Sequence, residues 1–178
     1  MKIGIAGAGG IGSNVAVSLV RSGIRQIKIV DFDRIEQSNL NRQFYFADQI
    51  GKMKIDSLVE NLHRIAPTCI VETVASKITQ DNIGKIFNDC SIIVEGLDNR
   101  QDKKMLLENL GPHKELVVSA CGISGHATNR ITTRTMGSCC IIGDFTTDCA
   151  QAKLYTHKVM LIAAMMSGRI IEYIEENQ

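Results

Sequence analysis

Six residues near the amino terminus, Gly7-Ala8-Gly9-Gly10-Ile11-Gly12, constrain the fold of this chain more than any other feature of its 178 residues. They follow a short apolar run at 2–6 and open a stretch of helical character at 10–22. A glycine turn between a strand and a helix leaves backbone amides exposed at the helix start, where the helix dipole favours a phosphate. A Cβ there would obstruct both the tight turn and the close approach of a ligand to the backbone. Gly7, Gly9, Gly10 and Gly12 are therefore read as nucleotide-binding positions, against the competing reading of a purely structural turn.

Short apolar runs at 27–30, 70–75, 91–95 and 116–121 alternate with helical stretches at 52–65, 81–88 and 100–110. Strands buried on both faces are short and continuously apolar, and their alternation with helices predicts βαβ units. The expected class is α/β and Rossmann-like, a mainly parallel sheet with helices on both faces. Beyond 125 the pattern changes: a Thr-rich run at 126–135 and an apolar run at 139–142 predict late antiparallel strands. The segment 143–156 is loop-like, and 157–174 predicts a helix with Val159, Ile162, Ala163, Met166, Ile170 and Ile174 on one face. No repeat or linker interrupts the pattern, so residues 1–178 are expected to form a single nucleotide-binding domain.

Composition narrows the partners. Hydrophobic residues at 44% and charged residues at 22% are ordinary globular values. Twenty Lys and Arg against nineteen Asp and Glu leave a net charge of +1, which supplies no field to hold nucleic acid or an anionic membrane. The longest apolar stretch, 159–166, is far short of the ~20 residues a membrane helix needs. The chain enters its first strand without a secretory leader, and a cytoplasmic location with six reduced cysteines is expected.

Asp31 follows the second strand run, where a carboxylate can accept from ribose hydroxyls; Asp33 stands beside it. Either residue could instead cap a turn. The glycine turn and Asp31 suit a nicotinamide dehydrogenase equally well. The run Ser38-Asn39-Leu40-Asn41-Arg42-Gln43, then Lys54 and Asp98-Asn99, separates the two readings. Hydride transfer has no evident need for Arg42 and Lys54, whereas cleavage of a phosphoanhydride needs cations at the phosphates and a carboxylate for magnesium.

In their order and spacing, Gly7 to Gly12, Asp31-Phe32-Asp33, Ser38 to Gln43, Gly51-Lys52-Met53-Lys54 and Asp98-Asn99 together resemble the ThiF/MoeB/HesA family, relatives of the ubiquitin-activating enzymes. The compact ThiF-like branch is the nearest in outline. The resemblance implies ATP-dependent adenylation of the carboxyl-terminal glycine of a ubiquitin-like sulfur carrier ending in Gly-Gly, in thiamine or a related sulfur-cofactor synthesis, by a homodimer, with a sulfurtransferase as a further partner. It implies that Asp31 holds ribose, that Asn39, Arg42, Gln43 and Lys54 hold the phosphates, and that Asp98 holds magnesium. Arg42, Lys54 and Asp98 are then the catalytic candidates.

The chain also departs from the family. Many relatives carry paired Cys-x-x-Cys motifs for structural zinc; none is present here, Cys139 and Cys140 are adjacent, and no zinc is expected. Cys149, in the loop before the last helix, is the candidate sulfur-transfer thiol, against the reading of an incidental loop cysteine. Lys103 stands where the family usually has arginine. Two other functions stay open: a non-catalytic module that binds a carrier or nucleotide, and an NAD-binding oxidoreductase.

Overall fold

One seven-stranded sheet organises the chain. In the computed structural model, which describes residues 1–177, the strands are β1 (Ile3–Ala6), β2 (Gln26–Val30), β3 (Ile70–Val74), β4 (Ile92–Glu95), β5 (Leu116–Cys121), β6 (Thr132–Met136) and β7 (Cys139–Gly143). Their order across the sheet is β3-β2-β1-β4-β5-β7-β6. Every pairing is parallel except β6 with β7, so the late strands do form an antiparallel pair, while β7 also continues the parallel array beside β5.

Helices cover both faces. On one, α1 (Gly10–Arg21), α2 (Lys54–Ile65) and α5 (Thr156–Glu176) pack on Ile5, Ile29, Val94, Val118 and Ile142. On the other, α3 (Ile83–Ile86) and α4 (Arg100–Leu110) pack Phe87 and Leu106 against Ala6, Val30, Ile93 and Val117. The alternation of Ile92 and Val94 with Ile93 between the two cores is the period of two expected of a strand buried on both sides. Each of these fully buried side chains contributes roughly 1.5–3 kcal/mol.

Most element boundaries differ from the sequence reading by a residue or two, and three differences concern β6, α2 and α3. β6 begins at Thr132, because its partner β7 is five residues long and the register Thr132↔Gly143 exhausts it; residues 126–131 of the expected run have no strand to pair with. α2 begins at Lys54, because Met53 is extended and bridges Arg34. α3 spans a single turn. Among the described residues no helix is long and apolar enough to cross a membrane.

The strand order fixes where a ligand can sit. The chain runs outward from β1 through β2 to β3, then returns to β4 on the other side of β1. Loops leaving the carboxyl ends of β1 and β4 diverge at that point, and a crevice opens between them.

Candidate functional site

The crevice is an open cavity of about 150 Å³ lined by Gly7 and Gly9 after β1, Asp31 and Asp33 after β2, Lys54 at the start of α2, and Asp98 and Asp102 beyond β4. Gly7 has φ +90°, a conformation that suits glycine, and a Cβ on it would lie 2.7 Å from the Gly96 carbonyl oxygen. At Gly12 a Cβ would lie 1.8 Å from the Gly7 carbonyl oxygen, so α1 can approach the turn only without one. Around Gly9, by contrast, the nearest atom to such a Cβ is Gln43 Nε2 at 3.8 Å, which leaves the side facing the crevice open.

Asp31 makes the turn contacts that were the alternative reading of it. Its Oδ2 accepts from the Ala8 amide at 2.6 Å and its Oδ1 from the Asp33 amide at 2.8 Å, so it ties the glycine turn to the end of β2. A carboxylate has about four acceptor positions, which leaves capacity for hydroxyl donors from the crevice. Lys54, almost wholly buried, extends its ammonium to Asp33 Oδ2 at 2.9 Å. Asp98 is exposed at the rim.

The structure does not bring Asn39, Arg42 and Gln43 to the crevice wall. Asn39 is buried and spends its Oδ1 on the Glu36 amide at 3.1 Å, closing the 3-10 turn Gln37–Asn39. Arg42 folds over its own loop, donating to the Ser38 carbonyl at 3.0 Å and Asn41 Oδ1 at 2.8 Å, with its stem beside Gly10 at the start of α1. Gln43 is buried, and its Oε1 has no hydrogen-bond partner, which is costly for an amide.

Residues not singled out in the sequence hold this loop in place. Ser13 Oγ donates to the Gly9 carbonyl at 2.7 Å and accepts from the Phe44 amide at 3.0 Å. Asn14 Nδ2 donates both to the Gly10 carbonyl at 2.6 Å and to the Arg42 carbonyl at 2.8 Å. Tyr45 donates its hydroxyl to the Ala8 carbonyl at 2.7 Å, and burial, with Asp31 nearby, pushes that phenol far above its ordinary range. Ser13 and Asn14 are adjacent polar residues near the start of a mainly apolar helix, and that contrast was the available signal.

The cysteines sort by position. Cys139 and Cys140 are both buried in β7, one on each face of the sheet. Cys149 is exposed in the turn 148–152, outside the residues that line the crevice. Among the described residues no three His, Cys, Asp or Glu side chains group to hold a metal ion by themselves.

Known proteins resemble this chain in sequence or in fold. The tRNA threonylcarbamoyladenosine dehydratase 2 of Saccharomyces cerevisiae is 36% identical over 124 residues, 67% of this chain and 28% of that protein. The adenylyltransferase and sulfurtransferase UBA4 of Eremothecium gossypii is 32% identical over 126 residues, 68% of this chain and 28% of that protein. The chain thus spans less than a third of the length of either relative. Among solved structures, Escherichia coli tRNA N6-threonylcarbamoyladenosine dehydratase in complex with ATP superposes with a TM-score of 0.85 at 20% identity, covering 99% of this chain and 88% of that one, a likeness of fold. The model of the ThiF family matches residues 1–178, from the glycine turn through the last helix, and the chain belongs to the ThiF family.

Proposed function

We propose that this chain binds ATP in the crevice and transfers its adenylyl group to a carboxylate, forming an acyl adenylate and releasing pyrophosphate. The observation that carries this reading is the convergence of Asp31, Lys54 and Asp98, from three separate segments, on one crevice at the glycine turn. Asp31 would orient ribose. The amides at the start of α1 and the Lys54 ammonium would hold phosphate oxygens, with Arg42 and the unpartnered Gln43 beside that turn. An acceptor carboxylate oxygen attacks the α-phosphorus while the bond to pyrophosphate breaks, so the protein's task is to align two anions and stabilise charge moving onto the leaving group. Lys54 and Asp98 have no corresponding task in hydride transfer.

The donor set fits magnesium shared with a nucleotide. Asp98 is exposed, Asp102 lines the same crevice, and too few ligands group there to hold a cation without phosphate oxygens. When bound, the ion would neutralise charge on the pyrophosphate.

For the acceptor, we favour a ubiquitin-like sulfur carrier ending in Gly-Gly, with Cys149 as the thiol available for a later sulfur step. The likeness to an adenylyltransferase and sulfurtransferase supports it. The likeness to a tRNA threonylcarbamoyladenosine dehydratase favours a second acceptor, a tRNA nucleoside bearing a carboxylate. A homodimer fits the exposed Met160 and Leu161 on α5, and six free cysteines fit a cytoplasmic setting.

Acceptor-dependent exchange of labelled pyrophosphate into ATP tests the reading. Exchange that requires both a Gly-Gly carrier and Asp98 supports it, exchange driven only by modified tRNA selects the second acceptor, and absence of ATP binding overturns the site.

A further inference from the structure

Beneath the turn that carries Asp98 lies a carboxylate with no exposure to solvent. Glu95, the last residue of β4, is fully buried on the α4 side of the sheet. Its Oε1 accepts from the Leu97 amide at 2.7 Å, and its Oε2 accepts from Ser119 Oγ on β5 at 2.6 Å and forms an ion pair with Lys103 of α4. Lys103 lies in the first turns of α4, where the helix dipole disfavours a cation, so its location calls for a local reason. Asp98 and Asp102, close to it in sequence, line the crevice, and among the described residues neither carboxylate has an ion-pair partner.

We propose that Glu95 is a positioning residue that draws Lys103 inward and so keeps this cation off Asp98 and Asp102, leaving those carboxylates open to a divalent ion shared with nucleotide phosphates. The proposal rests on the reading of the crevice as an ATP site. A lysine is suited to this capture, because its compact charge sits on a flexible four-carbon stem that would otherwise reach whichever carboxylate is nearest. Glu95 is the more favourable partner because its other acceptor positions are already satisfied by Leu97 and Ser119, which hold it in place without neutralising it. The sheet interior thereby sets the charge at the rim.

The test is Mn²⁺ binding to the protein–ATP complex, read from the free-ion electron paramagnetic resonance signal, with thermal unfolding followed in parallel. Glu95→Gln keeps the volume and an acceptor for Leu97 and Ser119 but releases Lys103, and is expected to weaken Mn²⁺ binding about tenfold, the scale of one nearby charge. Combining Glu95→Gln with Lys103→Met removes the released cation and is expected to return affinity to within about twofold of the unaltered protein. Lys103→Gln, which retains a donor to Glu95, is expected to bind Mn²⁺ at least as tightly as the unaltered protein. A double variant as weak as Glu95→Gln, or a Lys103→Gln variant that loses affinity, overturns the proposal and leaves the ATP reading standing. An unaltered protein that adds no Mn²⁺ binding to that of ATP alone overturns both.

Discussion

Lys54 places its ammonium 2.9 Å from Asp33 Oδ2, with the lysine side chain 6% exposed and the aspartate 48% exposed. The cation is held in a fixed position by burial while its partner faces solvent. A phosphate oxygen entering the crevice can therefore replace Asp33 without moving Lys54. Replacing Lys54 by Met is expected to lower pyrophosphate exchange by about 10²–10³, the usual effect of losing one charge-stabilising donor. Asp33→Asn, which leaves the cation in place, is expected to cost far less. Exchange rates of the two variants side by side check the difference, and equal losses would remove Lys54 from its assigned role.

The two glycines of the turn are expected to fail in different ways. Gly12→Ala drives a methyl to 1.8 Å from a backbone oxygen and should cost about 3 kcal/mol, a fall of roughly 6–12 °C in Tm for a chain of this size. Gly9→Ala meets nothing closer than 3.8 Å, so its Tm should stay within a few degrees while nucleotide affinity drops. Thermal unfolding and ATP titration of both variants separate packing from binding.

At the other end of the sheet, Lys158 of α5 has no exposure and is ion-paired with Asp144, whose side chain is 5% exposed. Lys158→Met leaves an uncompensated buried carboxylate and should destabilise the fold by about 3–5 kcal/mol; adding Asp144→Leu should recover part of that loss. Denaturant unfolding of the single and double variants measures the recovery.

The same pair sets a pH dependence. Burial alone would raise the Asp144 carboxyl, but Lys158, the amides of Thr147 and Thr146 and the Thr147 hydroxyl together hold it well below the usual carboxylate range. Since the folded value is depressed, its contribution to stability is complete above the unfolded value of about 3.9 and is lost as pH falls through and below it. Unfolding free energy measured from pH 6 down to pH 2.5 should show this slope in the unaltered protein and lack that part of it in Asp144→Asn.

Adenylation requires no thiol, and Cys149 lies outside the crevice lining. Cys149→Ser is expected to leave pyrophosphate exchange within about twofold and to abolish only a sulfur-transfer step that runs through the enzyme. Loss of exchange in this variant would place Cys149 in the nucleotide chemistry instead.

The sequence by itself determined the strand and helix alternation, because buried parallel strands must be apolar on both faces and helices must carry an apolar stripe, and both requirements are written in local order. It also determined the glycine turn, since only glycine tolerates the contacts made at Gly7 and Gly12. The placement of Asp31, Lys54 and Asp98 around one crevice was legible through motif order. Tertiary structure alone decided the rest. The polar residues that sew the Arg42 loop onto α1, the pairing of Glu95 with Lys103 and Ser119, and the burial of Lys158 against Asp144 all join positions distant in sequence or on different elements. A charged residue reads as a solvated surface in sequence, and whether it is captured by a partner depends on which elements the sheet brings side by side. That is a property of strand order and register, set by the summed packing of the whole core rather than by any neighbouring residue.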